Sequence, residues 1–187
     1  MTKPTKEHPI VATSSRIAYE NAWLKIREDT TLREGNKSGI YGVVEVEDSV
    51  MVCAVNEKND IFLLWGYSYP TDTWSWQVAG GGGEGETPTV AAKRELVEET
   101  GIIADSYEQI GNLIVSCGLM TERMGIVVAT GLHHGDRLTS DDKDSIQQGK
   151  FFSRDDIHSM IGRGEICDSQ SISTLYLVEK WIEKNGN

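Results

Sequence analysis

Three glutamates, Glu95, Glu98 and Glu99, lie close together in the segment KRELVEETG, residues 93–101. In a helix, residues three and four apart lie side by side on one face, where like charges repel each other. Carboxylates that converge in this way form a hard, oxygen-rich site of the kind that binds Mg²⁺ or Mn²⁺. The pattern therefore indicates either a divalent-metal site or a solvated, charged helix face.

A glycine run and an arginine precede these glutamates. Gly80–Gly83 has no Cβ atoms, so its main-chain carbonyls and amides can approach a neighbour closely. Arg94 lies four residues before Glu98, and we expect it to hold the carboxylates or to reach back to Glu86. Taken alone, a glycine run is typical of a flexible loop and an acidic helix is typical of a solvated face.

A helix from Pro88 to Thr100 is expected to present the glutamates. Thr87 suits the N-cap, Pro88 suits the first helical position and Gly101 suits the C-terminal cap.

The other segments predict mostly strands. Two or three short strands are expected in residues 16–47, and two partly buried strands in SVMVCAV and DIFLLWGY. SYPTDTWSWQVAGGGGEGE is expected to be an irregular loop that ends in a short strand and a glycine-rich connection. Two more strands are expected in EQIGNLIVSC and RMGIVVATGL, a short one in GKFF, and helices near residues 154–161 and 169–184. This order predicts an α+β fold, a mixed β-sheet flanked by helices.

Charge and composition exclude several classes of protein. The formal net charge of −11 disfavours binding to nucleic acid or to an acidic membrane surface. No apolar run approaches the roughly 20 residues of a membrane span, and the N-terminus lacks the apolar stretch of a signal peptide. Three widely spaced cysteines form no CxxC pair, which indicates neither a disulfide framework nor a zinc site. We therefore expect a cytoplasmic protein with no nucleic-acid or membrane partner.

The glycines, Arg94 and the glutamates form one continuous pattern from Gly80 to Ile102. It reads glycine, five residues, glutamate, seven residues, then Arg-Glu-apolar-any-Glu-Glu-any-Gly-apolar. Every fixed position matches the 23-residue box of the Nudix hydrolase family. At average residue usage, such a match arises by chance less than about once in a million start positions. The chain thus resembles a Nudix hydrolase, and the likeness extends over most of its length.

This resemblance implies an α/β/α sandwich around a mixed sheet and cleavage of a nucleoside diphosphate linked to another moiety. It implies that Glu95, Glu98, Glu99 and the main-chain carbonyl of Ala79 are ligands of Mg²⁺ or Mn²⁺. Arg94 would orient the glutamates, and Glu86 would support the loop or hold a metal-bound water. We expect an N-terminal β subdomain at 1–47 and a Nudix hydrolase domain at 48–187, with the box at 80–102.

Segments outside the box are similar to the ADP-ribose and ADP-sugar pyrophosphatases. SCGLMTERMGIVVA resembles their Ser-Pro-Gly…Glu segment, which makes Glu122 a further metal ligand or base, or else a surface carboxylate. The WSWQVAGG lead-in and GEICDSQSISTLYL are also typical of this group. The resemblance implies a small nucleotide substrate, ADP-ribose or a related nucleotide sugar, and a homodimer formed through the N-terminal subdomain. Trp23 or Tyr41 of that subdomain would stack on a base or pack in the core.

Several positions depart from this group and leave the substrate open. Cys117 stands where the group has proline, and Ser68 stands where an arginine is common. The late acidic loop offers Asp142 and Asp144 where the group has a candidate glutamate base. The alternatives are a non-catalytic, ligand-sensing Nudix domain and a Nudix hydrolase for a dinucleotide or a GDP-sugar. A Nudix-type isomerase of prenyl diphosphates is a third, less favoured alternative.

Overall fold

The computed structural model describes residues 8–134 and 146–185. Contacts divide the chain into two units, of which the first comprises residues 8–47 together with Ile114–Glu122. The second comprises residues 48–113 and 123–185. The sequence predicts a boundary after residue 47, and the contacts also group Ile114–Glu122 with the first unit.

The first unit is a three-stranded antiparallel sheet, with strand order β1-β2-β3. Its strands are β1 (Ile10–Glu20), β2 (Leu24–Arg33) and β3 (Lys37–Val46). The returning segment 114–122 joins this sheet through β3, because Val44 donates its N–H to the Leu119 carbonyl at 2.9 Å. The Val44 carbonyl in turn accepts from the N–H of Thr121 at 3.0 Å.

Outside residues 135–145, the second unit contains two sheets. One sheet is mixed, with order β7-β4-β9-β8, since β4 pairs antiparallel with β7 and parallel with β9. The other sheet is antiparallel, with order β10-β5-β6. The strands are β4 (Ser49–Ala54), β5 (Ile61–Ser68), β6 (Thr73–Gln77), β7 (Ala79–Gly82), β8 (Ile102–Ile114), β9 (Arg123–His134) and β10 (Ile146–Phe152).

In the described residues of the second unit, three α-helices cover the strands: α1 (Pro88–Thr100), α2 (Arg154–Gly162) and α3 (Ser169–Asn185). α1 packs against β4, β7 and β9, and α3 also contacts β4. Ala91, Ala92 and Leu96 of α1 join a buried cluster with Val50 and Val52 of β4. Because successive residues of a strand point to opposite faces, β4 also offers a second buried face through Cys53. The predicted class, mixed sheets flanked by helices with an N-terminal antiparallel sheet, is confirmed.

The glycine run differs from the expectation of a loop, because its first three residues belong to strand β7. β7 pairs with β4 so closely that a Cβ on Gly80 would lie 2.3 Å from the Val50 carbonyl oxygen. Position 80 therefore requires glycine, because the two backbones approach each other closely there. The glycine run by itself does not show which strand it pairs with.

Helix α1 has the predicted bounds. Thr87 is the N-cap with extended backbone angles, but its side chain forms no capping hydrogen bond. Gly101 ends the helix in the left-handed region at φ 71°, where its N–H donates to the Val97 carbonyl at 2.9 Å.

No helix in the described part of the chain is both long and apolar enough to cross a membrane. In the same residues all three cysteines are free thiols: Cys53 is buried, whereas Cys117 and Cys167 are exposed.

Candidate active site

Helix α1 carries the three glutamates at the edge of its buried face. Ala92 and Leu96 are in the core, and Glu95 beside them is only 8% exposed to solvent. Glu98 and Glu99 are half-buried one turn further along the helix. The helical repeat thus places one carboxylate against the sheet and two beside it.

Strand β7 provides the surface on which two of these carboxylates lie. The N–H of Gly80 donates to Oε2 of Glu99 at 3.0 Å. A Cβ on Gly81 would lie only 2.5 Å from Oε1 of Glu95, so glycine leaves the space that this carboxylate occupies. The peptide that follows buried Ala79 is the one whose N–H contacts Glu99. Ala79, Glu95 and Glu99 are therefore brought together.

Arg94 connects the carboxylates to the loop between β7 and α1. Its Nη1 donates to Glu95 Oε1 at 2.8 Å and to Glu98 Oε2 at 3.4 Å. Its Nε donates to Glu86 Oε2 at 3.1 Å, and its Nη2 donates to the Gly82 carbonyl at 2.8 Å. This planar fork fixes three carboxylates and one carbonyl at once, which a lysine ammonium does not do with the same geometry.

A tight turn after β7 positions Glu86 for this contact. Glu84 and Gly85 both have positive φ, 48° and 73°. The Glu86 N–H donates to the Gly83 carbonyl at 2.7 Å, and the Gly83 N–H donates to the Asp48 carbonyl at 2.8 Å. Asp48 also accepts the N–H of Arg123 through Oδ1 at 2.9 Å, so it ties the turn to the start of β9.

The electrostatics of the cluster follow from its crowding. Burial raises the pKa of Glu95, the hydrogen bond and charge of Arg94 oppose this rise, and the negative charges of Glu98 and Glu84 add to it. Partial burial lowers the pKa of Arg94, but the hydrogen bonds to Glu95 and Glu86 outweigh this effect, so the pKa of Arg94 is raised above its ordinary value. The site therefore carries an excess of negative charge that one guanidinium balances only in part.

The residues of this cluster fit a divalent cation by their chemistry. Their side-chain donors are carboxylate oxygens, which Mg²⁺ and Mn²⁺ prefer, and the missing Cβ of Gly81 leaves room beside Glu95. Within residues 8–134 and 146–185, no group of three or more His, Cys, Asp or Glu side chains is gathered around one point. Here Arg94 and the Gly80 amide engage the carboxylates, so binding a cation would redirect some of these oxygens.

The other predicted site residues lie elsewhere in the chain. In the first unit, Glu122 is half-buried in the returning segment, and its carbonyl accepts from the Val115 N–H at 3.2 Å. Trp23 is 81% exposed and lines a pocket of about 280 Å³. Tyr41 is half-buried, and its hydroxyl donates to the Gly118 carbonyl at 3.0 Å. Asp142 and Asp144 lie outside the described residues.

Three partners of the cluster were not anticipated from the sequence: the Gly82 carbonyl, Glu84 and Asp48. Glu84 lies 3.9 Å from Arg94 Nη1 and is well exposed. Two of these partners occupy variable positions of the box and the third precedes it, so no residue type marks them. Only the path of the loop brings them to Arg94 and to the glycine turn.

Comparison with known proteins identifies the family. A family model described as the NUDIX domain matches residues 46–174, and one described as the nucleoside diphosphate sugar hydrolase N-terminal domain matches residues 12–44. The chain belongs to the NUDIX domain family. This confirms the assignment to the Nudix hydrolases, a family whose members generally use divalent metals.

Two curated relatives and one solved structure illustrate the similarity. The ADP-ribose pyrophosphatase of Mycobacterium tuberculosis is 25% identical over 174 residues, covering 92% of this chain and 84% of the relative. The methanol dehydrogenase activator of Bacillus methanolicus is 26% identical over 150 residues, covering 80% and 81%. A crystal structure of an ADP compounds hydrolase has the same fold, with a TM-score of 0.84 at 18% identity over 98% of this chain and 99% of that one.

Proposed function

We propose that the protein hydrolyses the pyrophosphate bond of ADP-ribose or a related nucleotide sugar. The products are a nucleoside monophosphate and a sugar phosphate. The observation that carries the chemistry is the placement of Glu95 and Glu99 against the glycine strand β7. The match of residues 12–44 to a nucleoside diphosphate sugar hydrolase domain, and the name of the relative from Mycobacterium tuberculosis, support the substrate class.

The residues present suit hydrolysis at a pyrophosphate, whose negative oxygens repel a nucleophile. Glu95, Glu98 and Glu99, with the Ala79 carbonyl, would hold Mg²⁺ or Mn²⁺. When bound, the cation supplies charge neutralisation at phosphate oxygens and lowers the pKa of a coordinated water. The protein contributes positioning more than covalent chemistry.

Arg94 keeps the carboxylates in place for this role. Its fork holds Glu95 and Glu98 from the helix side and Glu86 from the loop side. Glu122 is the side chain that we propose as a further ligand or as the base that accepts a proton from water. Trp23, exposed on the first unit, is the better candidate for stacking on a base, since the Tyr41 side chain is half-buried.

A substrate panel tests the proposal. The purified protein is incubated with ADP-ribose, several ADP- and GDP-sugars, NADH and dinucleoside polyphosphates, with and without Mg²⁺. We expect Mg²⁺-dependent release of nucleoside monophosphate, fastest from ADP-ribose or a related sugar. Cleavage of only a dinucleotide or a GDP-sugar would replace the substrate, and binding without turnover would favour a ligand-sensing domain.

We also propose that the protein is a homodimer formed through its first unit. Every residue of β1 is exposed, including the apolar side chains of Val11, Ile17 and Tyr19. An exposed apolar strand invites pairing or cover by another chain. Light scattering coupled to size-exclusion chromatography should give twice the chain mass, and Ile17→Lys should shift it towards the monomer. A monomer at tens of micromolar wild-type protein would contradict the proposal.

A further inference from the structure

The segment GEICDSQSISTLYL, residues 164–177, has no part in the chemistry proposed above, yet it contacts the chain that leads into β7. The Trp76 N–H donates to the Glu165 carbonyl at 2.9 Å. The Val78 N–H donates to Oγ of Ser171 at 2.9 Å, although the two residues are 93 positions apart. Glu165 of the connection between α2 and α3, and Ser171 in the first turn of α3, therefore both hydrogen-bond the backbone that leads into β7.

Val78 needs this partner because of its place in the fold. It is the single residue between β6 and β7, which belong to different sheets, so its N–H falls outside both ladders. Val78 is 3% exposed and Ser171 is fully buried. A buried amide without an acceptor is costly, and the Ser171 hydroxyl supplies the acceptor. Ser171 is itself held by its N–H, which donates to Asp168 Oδ1 at 2.6 Å.

The stretch from Trp76 to Gly80 also carries the contact to Glu99. The amides at its alternate positions, Trp76, Val78 and Gly80, each donate to a group outside the two sheets. Their acceptors are the Glu165 carbonyl, Ser171 Oγ and Glu99 Oε2, at 2.9, 2.9 and 3.0 Å. The Ser171 hydroxyl and the Glu99 carboxylate therefore accept from amides that are two residues apart, with Ala79 between them.

We propose that Ser171 is a positioning residue for the metal site. Its hydroxyl fixes the backbone from Val78 to Gly80, and this backbone sets both the Ala79 carbonyl and the amide that holds Glu99. Ser171 itself touches neither substrate nor cation. This inference rests on the proposed function, because it assigns Ala79 and Glu99 to the same bound ion.

The test compares Ser171→Ala with Ser173→Ala. Ser173 lies in the same helix, and its hydroxyl donates to the Gln170 carbonyl at 3.1 Å, so its variant loses one local hydrogen bond. Mn²⁺ affinity is measured without substrate from the electron paramagnetic resonance signal of the free ion. We expect Ser171→Ala to weaken Mn²⁺ binding about tenfold and Ser173→Ala to leave it unchanged. Ser171→Thr, which keeps the hydroxyl, should restore most of the affinity.

Kinetics with the substrate found in the panel provide a second measurement. Ser171→Ala should lower kcat about tenfold and leave KM for the nucleotide within about twofold, because the nucleotide contacts are unchanged. Equal Mn²⁺ affinity and kcat in Ser171→Ala, Ser173→Ala and wild type would overturn the inference. Equal losses in both variants would also overturn it, since they would indicate a general effect of helix α3.

Two further outcomes separate this inference from the proposed function. If Ser171→Ala fails to fold by circular dichroism, Ser171→Cys replaces it, because a thiol fills the space but accepts a hydrogen bond weakly. If the wild-type protein cleaves no substrate in the panel and the Ser171→Ala variant binds Mn²⁺ more weakly than wild type, the proposed function fails and the positioning role stands. If the wild-type protein cleaves a substrate and Ser171→Ala changes neither turnover nor Mn²⁺ affinity, the proposed function stands and the positioning role fails.

Discussion

Single residues of the cluster have distinct tasks that follow from their contacts. Glu95 is the most buried carboxylate, and Glu99 is held by a backbone amide. Arg94 is shared between the helix and the loop, with only 23% of its side chain exposed. A change at one of these residues should therefore affect function in a way that depends on which contact it removes.

Glu99→Gln should reduce turnover by about a hundredfold or more, a magnitude typical of losing one electrostatic partner of the transition state. The fold should persist, because the glutamine carbonyl can still accept the Gly80 N–H. Steady-state hydrolysis and circular dichroism measure the two effects. Glu183→Gln is the control, since Glu183 is exposed and pairs only with Lys180 among the contacts described. A Glu99→Gln protein as active as wild type would refute the assignment of Glu99 to the metal site.

A second single-residue prediction concerns Asp29 in the first unit. The hydrogen bonds that Arg27 and Ser15 donate, opposed by partial desolvation, hold the pKa of Asp29 below its ordinary value. A lowered folded-state pKa gives a stabilising contribution that is present above the unfolded pKa of about 3.9 and is lost as the pH falls through the folded pKa.

Asp29→Asn should therefore be less stable than wild type at neutral pH, and this difference should narrow as the pH falls below about 4. Urea unfolding followed between pH 3 and 7 measures it. Glu20→Gln is the control on the same sheet, because Glu20 is an exposed partner of Lys25. A difference that is constant over this pH range would contradict the role given to the Asp29 charge.

At the scale of elements, the site depends on how closely β7 lies against α1. Glycines on this strand are not equivalent, since Gly81 faces Glu95 and Gly82 faces open space. The strand therefore offers a matched pair of positions for testing whether the approach of the two elements matters.

Gly81→Ala should displace the Glu95 carboxylate, because the new Cβ would lie 2.5 Å from Oε1. We expect loss of most hydrolytic activity together with weaker Mg²⁺ binding, measured by kinetics and by calorimetric titration. Gly82→Ala is the matched control: nothing lies within 4 Å of its Cβ, and its carbonyl still accepts from Arg94. Equal activity in the two variants would show that the close contact with Glu95 has no role.

At the scale of the whole molecule, negative charge is the dominant property. The chain carries a formal net charge of −11, and its cluster of glutamates adds a local concentration of the same sign. Like charges that are held together by the fold lower its stability until a cation neutralises them. Stability and metal binding should therefore be coupled.

Mg²⁺ should raise the melting temperature, because an ion that binds only the folded state stabilises it by mass action. The gain in free energy of unfolding is about 2.7 kcal/mol at a concentration of 100 times Kd. Differential scanning fluorimetry, with Mg²⁺ raised from zero to about 20 mM, measures the shift in melting temperature. The double variant Glu95→Gln/Glu99→Gln should lose it. Melting that is indifferent to Mg²⁺ in the wild type would mean that the ion binds only together with substrate.

The sequence by itself determined the features that depend on neighbouring residues. The family box placed the glutamates and Arg94, and the bounds of α1 followed from Thr87, Pro88 and Gly101. These signals are local, because caps and helical repeats involve residues within a few positions of one another. The same locality explains why the sequence predicts a glycine-rich connection for Gly80–Gly83, although Gly80–Gly82 belong to strand β7.

Only the tertiary structure decided which distant groups meet. It joined Ile114–Glu122 to the first unit, brought the Gly82 carbonyl to Arg94 and placed the Ser171 hydroxyl within hydrogen-bond distance of the Val78 N–H. The hydrogen bond between Val78 and Ser171 joins residues that are 93 positions apart, and no sequence pattern links the two. The physical reason is that a buried amide takes whichever acceptor the packing of sheets and helices brings to it, and that choice belongs to the fold as a whole.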